Sequence, residues 1–306
     1  MSDTPVLSLI VTIVDGGDQL RGFLRRVEAF ENAPSMEVIV PYDASIGETA
    51  KMATEFPGVR FLDIGRIDTA KPLDTSAGQH ELFDRRRAAG LMAATGEIIG
   101  MLEDRGWPQA DWAAVLVRLH RTLPNGVIGG AIECREPAGS VNWAFYVSDF
   151  GRYGRPFESG PVGWVSDVNV SYSRAALEET RHIWSVRFHE PLVHSFFLDR
   201  GERLYLSSEL VVFHGRAPMG LLALMPERFG WGRLFGRIRT LQFSWKDRLK
   251  YILLGPVIPP LLWVRHLRTQ FAKGNGARML GSLPALMVLT TAWTAGEVWG
   301  YITGRA

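Results

Sequence analysis

Apolar runs alternate with amphipathic segments along the N-terminal third of the chain. Four runs of apolar, largely β-branched residues predict buried strands: Val6–Val14, Met36–Val40, Val59–Ile64 and Ile98–Leu102. Helical spacing of the apolar residues predicts three helices between them: Leu20–Phe30, Glu48–Phe56 and Gly78–Thr95. Strands that alternate with helices in this way indicate an α/β fold with a parallel, doubly wound sheet and right-handed crossovers.

The middle of the chain continues this alternation with shorter elements. The pattern predicts the helix Ala110–Thr122, the strands Gly126–Glu133 and Asp167–Ser173, the helices Ala175–Thr180 and Pro191–Arg200, and the strands Leu204–Ser207 and Leu210–His214. The segment Pro137–Val162 shows no clear period and is rich in aromatic residues. We expect it to be irregular, with its aromatic side chains either packed in a core or forming a platform for a sugar.

The pattern changes after Arg216. Apolar residues between Trp231 and Leu249 follow helical spacing, although glycines at 230, 232 and 236 weaken such a helix. The uncharged run Tyr251–Val264 contains three prolines and would reach only ~21 Å as a helix, against the ~30 Å of a bilayer core. It is therefore expected at the membrane interface or in a re-entrant turn. Met279–Gly304 has one charge, Glu297, and is long enough to span a membrane, to lie in its interface, or to pack as a soluble helical extension.

Charge divides the chain at the same place. Residues 1–215 hold 21 Lys/Arg against 29 Asp/Glu, whereas residues 216–306 hold 13 against 3. A basic, Trp-rich, apolar tail favours anionic lipid headgroups over nucleic acid, because no zinc spacing or RNA-binding signature accompanies it. The single cysteine, Cys134, fits a reducing compartment, and the acidic N-terminus does not resemble a signal peptide. We therefore expect a catalytic domain at 1–215 and a membrane-association region at 216–306, on the cytoplasmic side of the inner membrane and held either peripherally or by one spanning helix.

The candidate chemistry begins where the strand Ile98–Leu102 ends. Two adjacent carboxylates, Glu103 and Asp104, follow this strand. Charge at the end of such a strand lies at the rim of a sheet, where open α/β folds bind ligands. Carboxylate oxygens suit a Mg²⁺ or Mn²⁺ ion that carries phosphates. The alternative is a solvated acidic turn.

The order of these segments resembles a bacterial-type family-2 inverting glycosyltransferase of the GT-A fold with a membrane-associated tail. The resemblance covers roughly residues 5–215, through LSLIVTIVD, MEVIVPYDAS, RRRAAGLMAATGEIIGMLEDRGWP, VSDVNVSYSR and FHEPLVHSFFLDRGERLYLSSELVVFH. It implies a mixed, mainly parallel, Rossmann-like sheet flanked by helices, followed by a helical membrane-associated region. It also implies transfer of a sugar with inversion from a nucleoside diphosphate sugar, in the first place a UDP-sugar.

The resemblance also assigns donor-binding residues. Thr12 and Asp43 match the positions that hold the nucleobase, Arg87 matches an arginine that faces the nucleotide, and Asn169 matches an asparagine that faces the donor. Arg85 and Arg86 remain alternatives to Arg87. Glu103 and Asp104 match the acidic motif over which the donor diphosphate lies. Trp164, Asp167 and His189 are weaker candidates for contacts to the sugar or the acceptor.

The implied metal site departs from the family pattern at one position. Asp104 and His214 match metal positions, and histidine is a suitable Mn²⁺ ligand. Arg105 stands where the family often has Asp or His as a direct ligand. Either Asp104 carries the cation, or Arg105 partly replaces it by neutralising the diphosphate, so that metal-independent transfer stays open.

The implied general base is Glu190, in the segment Phe188–Pro191. Inverting transfer needs a carboxylate that takes the proton of the acceptor hydroxyl. Pro191 also fits the first turn of a helix, so Glu190 alternatively only caps that helix.

The tail suggests a lipid-linked acceptor or a growing glycan, as in glycolipid or polysaccharide synthesis, and the oligomeric state stays open, a homo-oligomer included. A degenerate member of the same fold that binds a nucleotide sugar or a partner enzyme without turnover is the alternative. A nucleotidyltransferase would carry a lysine-bearing, glycine-rich loop after the first strand, and Asp15–Asp18 has none.

Overall fold

The computed structural model describes residues 4–136, 138–241 and 243–305. The chain forms two units. The first, here the sheet unit, comprises Met1–Asp68, Glu81–Glu133 and Arg155–His214. The second, the helical unit, comprises Thr69–His80, Cys134–Gly154 and Gly215–Ala306.

The strands form one nine-stranded sheet. They are β1 Leu7–Thr12, β2 Met36–Tyr42, β3 Val59–Asp63, β4 Ile98–Glu103, β5 Gly106–Pro108, β6 Val127–Cys134, β7 Gly160–Val162, β8 Asn169–Ser173 and β9 Leu204–His214. Their order is β3-β2-β1-β4-β8-β6-β9-β5, with β7 paired to β9. The fold is therefore mixed α/β, as expected.

The expectation of a mainly parallel, doubly wound sheet is correct for only half of it. β3, β2, β1 and β4 are parallel to one another. The pairs β4–β8, β6–β8, β5–β9 and β7–β9 are antiparallel. The connections after β4 also contain helices, Trp112–Thr122 among them, yet the strands there pair antiparallel, so alternation of strands with helices does not by itself make a sheet parallel.

Eleven α-helices occur in the described residues. They are α1 Gly17–Glu28, α2 Ser76–Ala93, α3 Trp112–Thr122, α4 Ser140–Phe150, α5 Arg174–Glu179, α6 Arg181–Trp184, α7 Glu190–Leu198, α8 Leu221–Thr240, α9 Trp245–Leu254, α10 Ile258–Ala272 and α11 Gly276–Thr303. The helix predicted at Glu48–Phe56 is a 3₁₀ segment, Ala44–Thr54, and a second such turn spans Gly255–Val257.

The core of the sheet unit follows from the apolar pattern. All residues of β1 are buried, and α1 buries the apolar positions that its spacing predicted. One cluster combines these elements with α3 and includes Leu7, Leu9, Val11, Leu20, Phe23, Leu24, Trp112 and Leu116. Gly100 of β4 makes room for Trp112, since a Cβ there would lie 2.7 Å from the indole ring. The sheet is thereby held rigid under the strand ends that carry the candidate site.

Two expectations for the middle of the chain are wrong. The segment Pro137–Val162 contains α4, and Trp143, Phe145 and Tyr146 on this helix are buried. These aromatic side chains therefore belong to a core, one of the two alternatives. The two short strands expected between Leu204 and His214 are one continuous strand, β9.

In the helical unit, α8 and α11 approach each other through glycines. A Cβ at Gly232 would lie 2.0 Å from the Trp293 carbonyl oxygen, and one at Gly236 2.2 Å from that of Glu297. On the facing helix, a Cβ at Gly296 would lie 2.0 Å from the Phe229 carbonyl oxygen. Small residues four apart let two helix backbones touch. The glycines that weaken α8 as an isolated helix are thus required by its packing.

The tail also differs from its sequence prediction in where its helices break. The helical pattern from Trp231 to Leu249 belongs to two helices, because Ser244 and Asp247 form a capping box that starts α9. Pro259 and Pro260 lie in the first turn of α10, where proline is tolerated. The proline-containing run is therefore helical on both sides of a single 3₁₀ turn.

Glu297, the one charge of the long apolar run, has polar partners. Its carboxylate accepts hydrogen bonds from the Tyr301 hydroxyl at 2.5 Å and from Arg239 at 3.1 Å. Among the described residues, α11 is the one helix long and apolar enough to cross a membrane, and half of its most apolar window is buried. Core helices of soluble proteins have the same properties, so this feature alone assigns no membrane span.

Candidate active site

The ends of neighbouring parallel strands bring the first candidate residues together. β1 and β4 run in register to Thr12 and Glu103, which therefore lie side by side. β2 ends at Tyr42 on the other side of β1, and Asp43 follows it. Because the carboxyl ends of parallel strands share one edge of a sheet, Thr12, Asp43 and Glu103 lie along the edge where open α/β sheets bind ligands.

Arg87 of α2 connects these strand ends to the rest of the site. Its buried guanidinium donates to Glu103 Oε1 at 2.8 Å and to Thr12 Oγ1 at 3.3 Å. It pairs with Asp167 Oδ2 at 2.8 Å, and Asp84 Oδ1 lies 3.9 Å away. One positive charge is therefore shared by several carboxylates from different elements.

This environment changes the protonation of Glu103. Burial raises the pKa of Glu103 to about 7, with Arg87 acting against the rise and Asp167 adding to it. Burial alone would lower the pKa of Arg87, but Asp167 and Glu103 raise it, so the guanidinium stays charged. Glu103 is therefore a carboxylate that a nearby cation would stabilise.

The three consecutive arginines of α2 have different partners. Arg85 pairs with Glu81 on its own helix. Arg86 is buried and donates to Asp43 Oδ2 at 2.7 Å and to the Ile13 carbonyl at 3.0 Å. Of the three, Arg87 contacts the strand-end carboxylate Glu103, and Arg86 contacts Asp43.

Asp43 is buried at the start of the 3₁₀ segment. Its Oδ1 accepts from the Ser45 N–H at 2.8 Å, and its Oδ2 from Arg86. Burial would raise the pKa of Asp43, but these bonds from Ser45 and Arg86 hold it below its usual value. The carboxylate therefore stays ionised and acts only as an acceptor.

Asp104 is fully buried and points away from Glu103, into the loop after β1. Its carboxylate accepts from the backbone N–H groups of Val14 at 2.9 Å, Asp15 at 3.2 Å and Gly16 at 2.7 Å. Burial raises the pKa of Asp104, and these three bonds act against the rise. The structure thus gives Asp104 a role in shaping this loop, and its role as a metal ligand stays a prediction.

Arg105 contacts the same loop from its other side. Its guanidinium donates to both carboxylate oxygens of Asp15, at 2.9 Å and 2.6 Å. Arg105 is only partly exposed, with 21% of its side-chain surface accessible. The residue that departs from the family pattern is therefore engaged with Asp15 and brings a positive charge next to the acidic strand end.

His214 ends β9, where it pairs with Gly106 of β5. Its Nε2 lies 4.0 Å from Glu103 Oε2, the oxygen that Arg87 does not bind. Two atoms that each lie about 2.1 Å from one ion are separated by roughly 3 to 4.2 Å. The separation of Glu103 and His214 therefore fits a shared divalent cation, whereas the Asp104 carboxylate accepts from three backbone N–H groups.

Glu190 is the first residue of α7, and the loop before it is held by α2. The buried Asp84 accepts from Arg187 Nε at 3.0 Å, and its carbonyl accepts from the Phe188 N–H at 3.0 Å. His189 Nδ1 lies 3.8 Å from the same carboxylate. Glu190 itself is close enough to raise the pKa of Arg87, so α2 connects Glu190 to the strand-end cluster.

Asn169 has a different surrounding from the one expected. It is fully buried, and its amide donates to the carbonyls of Ala131 and Leu210, each at 2.9 Å. Its oxygen accepts from Trp112 Nε1 at 3.0 Å. These bonds join β8 to β6, β9 and α3, so the hydrogen-bonding groups of the Asn169 side chain are largely used inside the sheet unit. Contact between Asn169 and a nucleotide-sugar donor stays a prediction.

Sequence reasoning missed Asp84, His194 and Tyr172. Asp84 precedes Arg87 by three residues and His194 follows Glu190 by four, so helical spacing could have placed each beside its neighbour. His194 also contacts the predicted Trp164, whose ring meets the imidazole edge-on at a centroid distance of 5.7 Å. Tyr172 lies on the strand β8, and no regular spacing along the chain relates it to the helix α7.

The arrangement gathers Thr12, Arg87, Glu103, Asp167 and His214 around one point and adds Glu190 through Arg87. It offers positive charge for an anionic ligand, an oxygen–nitrogen pair for a cation and a carboxylate for proton transfer. Asp43 with Arg86 forms a second polar group farther along the sheet edge.

No family model matches this chain, and no curated protein sequence matches it. Among solved structures, it is similar to the mannosyltransferase PcManGT from Pyrobaculum calidifontis in complex with GDP-Man and Mn²⁺, at a TM-score of 0.50 and 15% identity. The match covers 99% of this chain and 86% of that one. At this identity the likeness concerns the fold alone: the chain has a fold similar to that of this mannosyltransferase.

Proposed function

We propose that this protein is an inverting glycosyltransferase that transfers a sugar from a nucleoside diphosphate sugar to a lipid-linked or glycan acceptor. The observation that carries the proposal is the cluster of Arg87, Glu103, Asp167 and Glu190 at the strand ends of a glycosyltransferase fold. The cluster has three carboxylates and one arginine, so it suits an anionic donor that is accompanied by a divalent cation, and Glu190 suits acid–base chemistry.

The donor would lie with its base near Asp43 and its diphosphate near Arg87 and Glu103. Uracil presents an imide N–H, and guanine presents two neighbouring N–H groups, so the ionised Asp43 could accept from either base. UDP-sugars were the first expectation from the sequence, and the solved neighbour carries GDP-Man. Both classes therefore belong in the test.

A divalent cation, Mn²⁺ or Mg²⁺, would be held by Glu103 and His214, whose ligand atoms lie 4.0 Å apart. When bound, it would supply positive charge to the leaving diphosphate. Arg87 and Arg105 place further positive charge at the same edge. A donor that binds and turns over in EDTA would mean that these arginines suffice.

Glu190 would act as the general base. It would take the proton of the acceptor hydroxyl while that oxygen attacks C1 of the sugar from the side opposite the diphosphate. The C1–oxygen bond to the diphosphate then breaks, and its electron pair leaves with the nucleotide. Asp84 would keep Glu190 in place through the segment Arg187–His189.

The region 216–306 would bind the enzyme to the cytoplasmic face of the membrane, near a lipid-linked acceptor. Of the 21 exposed large hydrophobic side chains in the described residues, 16 lie in this region. Leu222, Leu241, Trp245 and Leu253 each expose two thirds or more of their surface. Exposed apolar side chains combined with a basic excess are typical of interfacial helices.

The test begins with thermal stabilisation of the purified protein by UDP-, GDP- and dTDP-sugars, with Mn²⁺ or with EDTA. A ligand at 100 times its dissociation constant adds about 2.7 kcal/mol, which is measurable. Nucleoside diphosphate release and sugar transfer are then measured with the donor that binds. We expect Glu190→Gln to leave donor binding nearly intact and to lower the rate by ~10²–10⁴.

Glu202→Gln is the matched control, since this carboxylate is half exposed and its ion pair is with Arg200 at the surface. A normal rate with a lower melting temperature for Glu190→Gln would mean that Glu190 only caps α7. Donor binding without release or transfer by the wild-type protein would favour the alternative, a nucleotide-sugar-binding protein without turnover.

A further inference from the structure

His194 of α7 lies between Glu190 and a buried tyrosine. One helical turn separates His194 from Glu190, and His194 Nδ1 lies 3.3 Å from Glu190 Oε1. On the other side of the ring, Nε2 lies 2.9 Å from the Tyr172 hydroxyl. His194 and Tyr172 are both fully buried in the sheet unit. The three side chains therefore form a chain that ends at the proposed base.

The surrounding side chains define which nitrogen of His194 carries the proton. An ionised carboxylate only accepts, so Glu190 beside Nδ1 favours the proton on that nitrogen, and Nε2 then accepts from the Tyr172 hydroxyl, which burial keeps protonated by raising its pKa. Burial lowers the pKa of His194 to about 4, so the ring is neutral near neutral pH. A neutral imidazole that accepts at Nε2 has its single N–H at Nδ1, the nitrogen that lies 3.3 Å from Glu190 Oε1 without aligned hydrogen-bond geometry.

Aromatic contacts hold both rings in this orientation. Trp164 meets His194 edge-on, with an interplanar angle of 84°. Phe188 meets Tyr172 edge-on, at 5.9 Å and 78°. These contacts pack both rings at their edges, with Nδ1 of the imidazole beside the Glu190 carboxylate.

We propose that His194, oriented by Tyr172, is a positioning residue that holds Oε1 of Glu190 so that Oε2 faces the acceptor hydroxyl. This inference rests on the proposed function. In the transfer step, Glu190 Oε2 takes the acceptor proton, the acceptor oxygen bonds to C1, and the nucleotide leaves with the electron pair of the broken bond. His194 neither gains nor loses a proton, and its N–H favours the ionised carboxylate before the step.

The kinetic test compares three variants. Asn places an N–H close to the position of Nδ1, so His194→Asn should keep most of kcat. His194→Leu and Tyr172→Phe should each lower kcat by roughly 10- to 100-fold, by analogy with the loss seen when a partner that orients a metal-binding side chain is removed. KM for the donor should not change, because His194 is fully buried and so is not accessible to a donor. Each kcat is divided by the fraction of protein that binds donor, which removes the effect of misfolding.

A purely structural role would lower the melting temperature of these variants without lowering the corrected kcat. That result, in a wild-type enzyme that turns over, would overturn this inference and leave the proposed function intact. A wild-type protein that transfers no sugar from any donor would overturn the proposed function and, with it, the role of His194.

The tautomer is measured independently of turnover. In the ¹⁵N-labelled full-length protein, NMR should show His194 protonated at Nδ1 and not at Nε2. Tyr172→Phe should reduce this preference, whereas His182→Gln, which changes an exposed histidine, should not. A proton on Nε2 of His194 in the wild-type protein would overturn the proposed chain of hydrogen bonds.

Discussion

Replacement of Asp104 by asparagine separates two roles for this carboxylate. In the structure it accepts from three backbone N–H groups, of Val14, Asp15 and Gly16, at 2.7 to 3.3 Å. In the variant, an NH₂ group replaces one acceptor oxygen, so at least one N–H loses its partner and the others bond to a neutral oxygen. An unsatisfied buried donor costs about 1–3 kcal/mol, and a hydrogen bond to a charged group is worth about 1 kcal/mol more than one to a neutral group. We therefore expect a loss of ~2–4 kcal/mol in the free energy of unfolding.

Glu103→Gln is the matched control at the adjacent position. The Glu103 carboxylate accepts from Arg87 at 2.8 Å, and the amide oxygen of glutamine can accept the same bond. Arg87 also keeps Asp167 as a partner. Because burial raises the pKa of Glu103 to about 7, the loss of its negative charge is mild near neutral pH. The expected cost is below about 1 kcal/mol.

The assay is urea unfolding of both variants in EDTA, followed by the same titration with Mn²⁺ and the nucleotide that binds best. If Asp104 shapes the loop after β1, its variant unfolds at a lower urea midpoint already in EDTA, with an unchanged slope. If Glu103 holds the cation, the metal-dependent gain in stability is lost in Glu103→Gln. An Asp104→Asn protein that equals the wild type in EDTA and loses only the Mn²⁺-dependent gain would refute this reasoning and make Asp104 a metal ligand.

Three further predictions concern packing, pH and the membrane. Gly296→Ala should lower stability by at least ~1–3 kcal/mol, because its Cβ would lie 2.0 Å from a backbone oxygen. Gly281→Ala, on the same helix, has free space around its Cβ and should raise stability by about 0.5–1 kcal/mol. Equal shifts in melting temperature for the two variants would contradict the close contact of α8 and α11. Burial lowers the pKa of His120 to about 4, below the value of about 6.5 in the unfolded chain. The contribution of neutral His120 to the free energy of unfolding is therefore complete above about pH 6.5 and is lost as the pH falls toward 4, at up to ~1.4 kcal/mol per pH unit. His120→Gln should therefore flatten the acid limb of a stability curve, and His182→Gln, at an exposed position, should leave it unchanged. In cell fractionation the full-length chain should sediment with membranes at low salt and require detergent for release; release by high salt alone would indicate electrostatic binding through 216–306, and a monodisperse soluble protein without detergent would contradict membrane association.

The sequence by itself determined the local elements of the sheet unit. The apolar runs at β1 and β4 are buried along almost their whole length, as expected of strands covered on both faces, and α1 shows its buried face in its spacing. The acidic end of β4 was visible because two carboxylates directly follow a buried run. These features depend on neighbours in the chain, so periodicity and composition suffice to predict them.

Strand direction and side-chain partners were decided by tertiary structure. The antiparallel half of the sheet depends on how the chain returns after β4, which the apolar pattern of a strand does not record. The same holds for adjacent carboxylates: Glu103 and Asp104 look equivalent in the sequence, yet one contacts Arg87 and the other three backbone N–H groups. Successive residues at a strand end point in opposite directions, so only the neighbouring elements decide which of them faces a ligand.

The glycines of the tail also have one meaning in the sequence and another in the tertiary structure. In the sequence they weaken a helix, because glycine loses more backbone entropy than alanine when it folds. In the structure, Gly232 and Gly296 allow two backbones to approach more closely than any Cβ would permit. Likewise, the chain of Tyr172, His194 and Glu190 joins a strand to a helix, and only the His194–Glu190 half follows a helical spacing. Spacing along the chain records which residues share a face of one element, whereas contacts between elements depend on packing that only the folded molecule defines.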